Sequence, residues 1–195
     1  DFIFSVNCHW ILKKELLQLV KKKIFNFHNS SLPEQQGAGC HSWRIMQGIK
    51  TFHLTMHYLS EQIDERDTIY EQKLEVPNSC RNLKETYSFI SNHETKAFEE
   101  CLDKIIKTYP NINVISKKGR KAYYWPRLNT DLHGYIDWTW TAQEIKQFCD
   151  AFDDPFDGAS TFLSNERVRF KNVEIDDENV KFHPFQYGII YRTND

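Results

Sequence analysis

Asn26-Phe27-His28 sets a carboxamide and an imidazole two residues apart at the end of the apolar run that begins at Ile24, and Asn29-Ser30-Ser31-Leu32-Pro33 follows at once. Alternation along a strand puts Asn26 and His28 on the same side. One offers an amide donor and acceptor; the other can donate, accept or carry charge. If the strand is parallel, its carboxyl end is the edge where open α/β sheets place their ligands. A second polar group, Glu61-Gln62-Ile63-Asp64, follows another strand pattern, and Asp64 reaches the His28 edge if the two strands are neighbours. Read alone, Asn26 and His28 fit better as residues that cap a strand and satisfy loop amides.

Other chemistry is less well supported. His53 and His57 share a strand parity, but four residues along a strand separate them by about 13 Å, too far for one zinc ion, so no metal site is expected. In Cys8-His9 and Cys40-His41 the side chains diverge, which disfavours a cysteine nucleophile. There is no glycine-rich phosphate loop. The lysines at 21–23 and 117–118 read as solvated surface.

The elements that must position these groups follow from periodicity. Residues 2–6 form an apolar β-type run, 12–21 a short helix pattern with Leu16, Leu17 and Val20 inward, and 24–27 a second strand. Strand, helix and strand in so short a span predict a βαβ unit and a parallel sheet. Residues 40–46 predict a helix stopped by Gly48, and the alternation of Phe52, Leu54, Met56 and Tyr58 predicts a strand, with another over 68–76. The longest helix signal has Ser79 as its N-cap and carries Leu83, Tyr87, Ile90, Phe98, Cys101, Leu102, Ile105 and Ile106 at helical spacing. A compositional break at 117–120 suggests a division into residues 1–116 and 117–195. Beyond it, Thr141-Ala142-Gln143-Glu144 is a capping-box sequence, 160–163 and 168–173 are strand patterns joined through Ser164-Asn165-Glu166, and 188–192 is a last strand signal.

The 195 residues are 40% hydrophobic and 27% charged, enough for a real core in one or two domains. A net charge of −2 lacks the basic excess of a nucleic-acid binder, so no nucleic-acid partner is expected. Five scattered cysteines read as reduced thiols in a cytoplasmic protein, and no apolar run approaches a membrane span.

The order Asn26-x-His28-x-Ser30-x-Leu32-Pro33, then Thr55-Met56-His57-Tyr58, then Glu61-x-Ile63-Asp64 resembles the 10-formyltetrahydrofolate-dependent formyltransferase family. That family includes methionyl-tRNA, glycinamide ribonucleotide and sugar N-formyltransferases. The resemblance implies an α/β, Rossmann-like catalytic domain followed by a small β-rich C-terminal region. It also implies opening βα units that this chain lacks, so that the sheet has an uncovered edge. By resemblance, Asn26 and His28 stabilise the oxyanion formed when an amine attacks the formyl carbon. Asp64 sets the charge of His28, favouring imidazolium, and helps remove the amine proton. The same resemblance assigns the folate donor to the segment Trp10, Ile11 and Leu12 and to a wall at Leu59, Glu61 and Ile63; as side chains, Trp10 and Leu12 read equally as core. Two departures stand out: Gln36-Gly37 where the family often has a basic residue and glycine, and Arg66 where it usually has glycine.

Tyr124-Trp125-Pro126-Arg127, Gly134-Tyr135-Ile136-Asp137-Trp138 and the run from Ala151 to Ala159 resemble the region after the catalytic domain in sugar N-formyltransferases. The resemblance implies a nucleotide-linked amino sugar as acceptor and a homodimer through the C-terminal part. Arg127 suits a diphosphate because guanidinium matches phosphate oxygens in bidentate fashion, and Tyr124 joins it as a substrate-binding candidate. Trp125, Trp138 and Trp140 could stack on a base, although aromatics in such positions more often belong to cores. A methionyl-tRNA formyltransferase and a folate-binding module without activity are the alternative readings.

Overall fold

A computed structural model describes residues 2–8, 10–20 and 23–176. The first half is a four-stranded sheet. Strand β1 (Ile3–Val6) leads through helix α1 (Lys14–Val20) to β2 (Ile24–His28), and the two-residue β3 (Gln36–Gly37) and helix α2 (Cys40–Met46) follow. Strands β4 (Thr51–Tyr58) and β5 (Thr68–Glu75) complete the sheet before the long helix α3 (Leu83–Thr108). The spatial order is β1-β2-β4-β5.

The predicted βαβ unit is present, since β1 and β2 are parallel. A wholly parallel sheet is not, because β4 runs antiparallel to both β2 and β5. The short connection from α2 into β4 reverses the chain instead of crossing over. Apolar alternation looks the same in either direction, so the pattern could not reveal this.

Register decides which residues share a face. Phe27 lies opposite Met56 and Asn26 opposite His57. Phe25, Phe27, Phe52, Leu54 and Met56 therefore form one face, which packs with Ile69 and with Ile90, Ala97, Cys101 and Ile105 of α3 as the main core. The other face carries Asn26, His28, Thr55 and His57. A sheet that buries phenylalanines on one side can offer polar side chains on the other without cost to its core.

Helix α3 begins at Asn82, not Ser79: the Asn82 side chain accepts from Glu85 N, and Glu85 Oε2 accepts from Arg81 N. Asn82-x-x-Glu85 is the stronger cap, and the backbone turns at Cys80 before reaching it. Helix α1 has no buried residue, and Leu16 is exposed instead of inward.

The second half begins with β6 (Tyr124–Trp125), parallel to β3, and the short helix α4 (Thr130–His133). Helix α5 (Ala142–Phe152) starts at Thr141 with the capping box in place. It packs on α2, where Ser42 Oγ donates to Ala151 O at 2.8 Å. Phe148, Cys149, Ala151 and Phe152 of α5 build a second core with Ile136 and Ala159. Strands β7 (Ala159–Leu163) and β8 (Glu166–Phe170) form an antiparallel hairpin, starting one and two residues earlier than the sequence pattern implied. Its turn residues Ser164 and Asn165 have φ of 50° and 67°, the left-handed pair that a tight hairpin requires. The strand signal at 188–192 lies outside the described residues. No helix among the described residues is long and apolar enough to cross a membrane.

Leu54 is fully buried in the main core. Leu54→Ala should lower unfolding stability by about 2–5 kcal/mol, read as a reduced urea midpoint with unchanged m-value.

Candidate active site

Asn26, His28 and Asp64 come together, and His57 joins them. Because β2 and β4 are neighbours, Asn26 Nδ2 meets His57 Nε2 at 3.2 Å. The loop after β4 then folds back over the polar face. Asp64 adopts φ 55°, a left-handed conformation that aspartate tolerates, and turns its carboxylate inward. Its Oδ2 lies 3.7 Å from His28 Nε2, and its Oδ1 lies 3.5 Å from His57 Nε2.

The carboxylate is held from outside the sheet. Gly37 N donates to Asp64 Oδ2 at 3.0 Å, and Gln36 Nε2 donates to Asp64 O at 3.1 Å. Gly37 has φ 104°, and a Cβ there would collide with the Trp125 carbonyl oxygen. Gln36-Gly37 therefore supplies the two donors that fix Asp64, without any basic residue. Arg66 keeps an ordinary negative φ, so the family's glycine is dispensable there; the strained torsion sits on Asp64 instead.

The loop after His28 is braced from below. Arg44 is completely buried, donates to Asn29 O at 3.2 Å and to Gln35 Oε1, and stacks 4.5 Å over the Phe52 ring. Burial pulls its pKa down to about 10, which still leaves it charged at neutral pH. Thr55 Oγ1 donates to Ser30 O at 2.5 Å. Arg120, from the stretch read as a linker, ion-pairs with Glu34 at 2.7 Å and Glu71 at 3.0 Å and so clips that stretch to the same loop.

The charge state of His28 differs from the sequence expectation. The side chain keeps 22% exposure, but its Nε2 is sealed from solvent and has no hydrogen-bond partner. Burial therefore outweighs Asp64, with His57 and Arg44 also disfavouring charge, and the pKa falls to about 4. His28 is a neutral imidazole at neutral pH, not the imidazolium that Asp64 alone would favour. Burial pushes the Asp64 carboxyl up. The His57 ring, His28 and the Gly37 amide more than compensate, bringing it down to about 2.

The other candidates are placed less tightly. Trp10 and Ile11 are 81% and 71% exposed, so Trp10 is not core; Leu12 is half-buried. Leu59 is half-buried with its N–H donating to Ile24 O at 3.1 Å, while Glu61 and Ile63 are exposed. Lys14 and Glu61 approach to 4.0 Å, so the start of α1 and the loop after β4 face each other. Tyr124 is exposed on β6, beside Gln36 and Gly37. Arg127 lines a cavity of about 460 Å³ with Trp43, Met46, Leu128, Trp140 and Phe152, a wall that shares no residue with the Asn26, His28 and Asp64 group. Trp138 donates to Thr161 Oγ1 at 2.9 Å and packs in the second core. Trp125 is half-buried beside Trp43.

His57 is the member that sequence reasoning set aside. Its strand parity with His53 was visible, but its place opposite Asn26 depends on strand direction and register, which were not. Among the described residues no group of three or more His, Cys, Asp or Glu could hold a metal ion.

Comparison with known proteins adds a family-level finding. Residues 1–102 match the family model described as formyl transferase, and residues 130–195 match that of the formyl transferase C-terminal domain. The chain is 27% identical to the bifunctional polymyxin resistance protein ArnA of Wigglesworthia glossinidia brevipalpis over 93% of its own length and 27% of that protein's. It is 30% identical to a methionyl-tRNA formyltransferase of Alkaliphilus oremlandii over 91% of its length and 56% of the relative's. It thus spans between about a quarter and a little over half of the length of these relatives. An N-formyltransferase from Helicobacter canadensis, solved with folinic acid and dTDP-3-aminofucose, superposes with a TM-score of 0.64 at 22% identity, over 76% of this chain and 54% of that one. At that identity the likeness speaks for the fold.

The His28 ring should titrate near 4 when followed by the shift of its Cε1 carbon. The folded pKa lies below the ordinary 6.5, so the unfolded chain takes up a proton first as pH falls. Stability present above pH 6.5 should be lost as pH drops toward 4, and His41, lowered by burial to about 3, acts in the same direction. Denaturant midpoints measured across that range check the sign.

Proposed function

This chain belongs to the formyl transferase family, and from that premise we propose that it moves a formyl group from 10-formyltetrahydrofolate to the primary amine of a nucleotide-linked deoxyamino sugar. The observation that carries the reading is the convergence of Asn26, His28 and Asp64 on one polar sheet face, with His28 Nε2 buried and unpartnered. A buried polar atom without a partner is a place where a ligand atom would satisfy it.

In the proposed reaction the amine nitrogen bonds to the formyl carbon, and the carbonyl oxygen becomes an oxyanion. Asn26 Nδ2 and an N–H of His28 donate to it, as preorganised donors do for tetrahedral intermediates. The bond from carbon to the folate nitrogen then breaks, the nitrogen regains a proton, and the proton lost by the amine leaves by way of Asp64. The folate would lie between the start of α1 at Trp10, Ile11 and Leu12 and the loop at Leu59, Glu61 and Ile63. No step calls for a metal ion.

A sugar acceptor is favoured by the absence of basic excess, with a net charge of −2, and by the apolar cavity with Arg127 on its wall, which suits a base and a diphosphate. The ligands named for the Helicobacter canadensis structure support the same choice. A methionyl-tRNA acceptor is the second reading, favoured by the relative at 30% identity. The division at 116/117, a cytoplasmic setting and a homodimer through the C-terminal region belong to the same proposal.

Calorimetry with 5-formyltetrahydrofolate tests the donor half: saturable binding weakened in Asp64→Ala is expected, and no binding by folded protein would remove the reading. With 10-formyltetrahydrofolate and a panel of nucleotide-linked amino sugars, mass spectrometry should show formyl addition. Asn26→Ala and His28→Ala should each lower turnover by roughly 10²-fold or more with the circular dichroism spectrum unchanged.

Arg127→Ala should raise KM for the sugar nucleotide and leave folate binding unaltered. Formylation of methionyl-tRNA in preference to every sugar would establish the second reading. Folate binding without transfer to any amine would leave only a binding module.

A further inference from the structure

We propose that His57 is a positioning residue whose Nε2 lone pair holds the Asn26 carboxamide with its nitrogen, not its oxygen, turned to the reacting centre. The inference rests on the formyl-transfer reading for its functional consequence and on geometry alone for the contact itself.

A terminal carboxamide can sit in either of two orientations related by a flip, and only one presents N–H groups. What selects the orientation is the partner. His57 is 1% exposed, so its ring nitrogens have no water to turn to. Nδ1 lies 2.9 Å from Tyr58 O, and a backbone carbonyl only accepts; Nδ1 therefore carries the hydrogen. With the hydrogen on Nδ1, Nε2 meets the Asn26 amide nitrogen as an acceptor. It lies 3.2 Å from Asn26 Nδ2, closer than to Asp64 Oδ1 at 3.5 Å. An acceptor at Nε2 demands a donor from Asn26, so Nδ2 faces it. The amide has two N–H bonds. One goes to His57, and the second remains for an oxyanion.

The chain of control runs from the backbone outward. Tyr58 O fixes the tautomer of His57, the tautomer fixes the flip of Asn26, and the flip decides whether the site donates to or repels a developing negative charge. A leucine at 57 would fill the space yet leave the flip undecided.

Two measurements test this on the full chain. The first needs no turnover: a long-range proton–nitrogen spectrum of the histidine rings, with His57 assigned by its loss in His57→Gln. Protonated Nδ1 with an unprotonated, hydrogen-bonded Nε2 is expected. A neutral ring protonated at Nε2, or a doubly protonated ring, would overturn the proposal.

The second is kinetic. His57→Leu should lower kcat roughly 10- to 100-fold with KM for the folate donor unchanged, since a misoriented donor costs rate more than binding. His57→Gln, whose Oε1 can accept in place of Nε2, should restore most of the loss. In an Asn26→Ala background His57→Leu should cost no more than about 2-fold further, whereas a residue that only supports the fold would add its full effect. An additive loss, or no rescue by a folded His57→Gln, would sink the proposal. If wild-type protein transfers no formyl group at all, the formyl-transfer reading fails while the ring spectrum still judges the contact.

Discussion

One buried carboxylate holds the site together. Asp64 is 7% exposed, and a charge so enclosed is tolerated only where hydrogen bonds and partners replace the water it has lost. It receives the Gly37 amide, lies beside two imidazoles, and has its own carbonyl bound by Gln36. Each demand reaches into a different part of the chain. Gly37 must be glycine to bring β3 against β6, so the first half and the second half meet at the carboxylate. The histidines require β2 and β4 to be neighbours with Asn26 opposite His57. Asp64 itself must turn through a left-handed torsion.

The rest of the fold steadies this arrangement. Phenylalanines on one face of β2 anchor it against α3, which frees its other face for polar side chains. Arg44 does for the loop after β2 what the core does for the strand. Its guanidinium is enclosed between the Phe52 ring and two carbonyl-type oxygens, so the loop from Asn29 to Gln35 has an internal strut in place of a surface of water. Removing one partner of such a buried charge costs more than the contact contributed.

How much of this was legible in the chain depended on the reach of each signal. Local ones were read well: the alternation at Phe52, Leu54 and Met56, the capping box at Thr141 and Glu144, and the juxtaposition of Asn26 with His28. Signals that need a partner were read only in part. Nothing in residues 51–58 distinguishes a parallel from an antiparallel strand, so His57 was judged against His53 along its own strand instead of against Asn26 across the sheet. Ser79 lost to Asn82 as the cap because a glutamate three residues on completes the second pair. The neutral state of His28 was out of reach altogether. The sequence shows the nearby carboxylate, which favours charge, but not the sealing of Nε2, which outweighs it. Arg127 was chosen for its chemistry, and the cavity it lines was invisible until helices α2 and α5 were packed together.

The neutral imidazole changes the electrostatics expected of the proposed transfer. A resting site with a carboxylate and a cationic ring would already be charge-balanced and would bind water strongly. With His28 neutral, the site carries one negative charge on Asp64 and a ring nitrogen without a partner. An oxyanion arriving beside a second anion would be repelled unless a proton entered with it. The amine brings that proton. As negative charge grows on the formyl oxygen, the same burial that depresses the pKa of His28 magnifies its attraction for a proton, because the field of a nearby anion is weakly screened there. Asp64, held near 2, is too weak a base to retain the proton and so passes it on. In the proposed transfer, burial would keep the ring uncharged beforehand and make it most basic as the oxyanion forms, with the fixed donor at Asn26 bearing the charge in the interval.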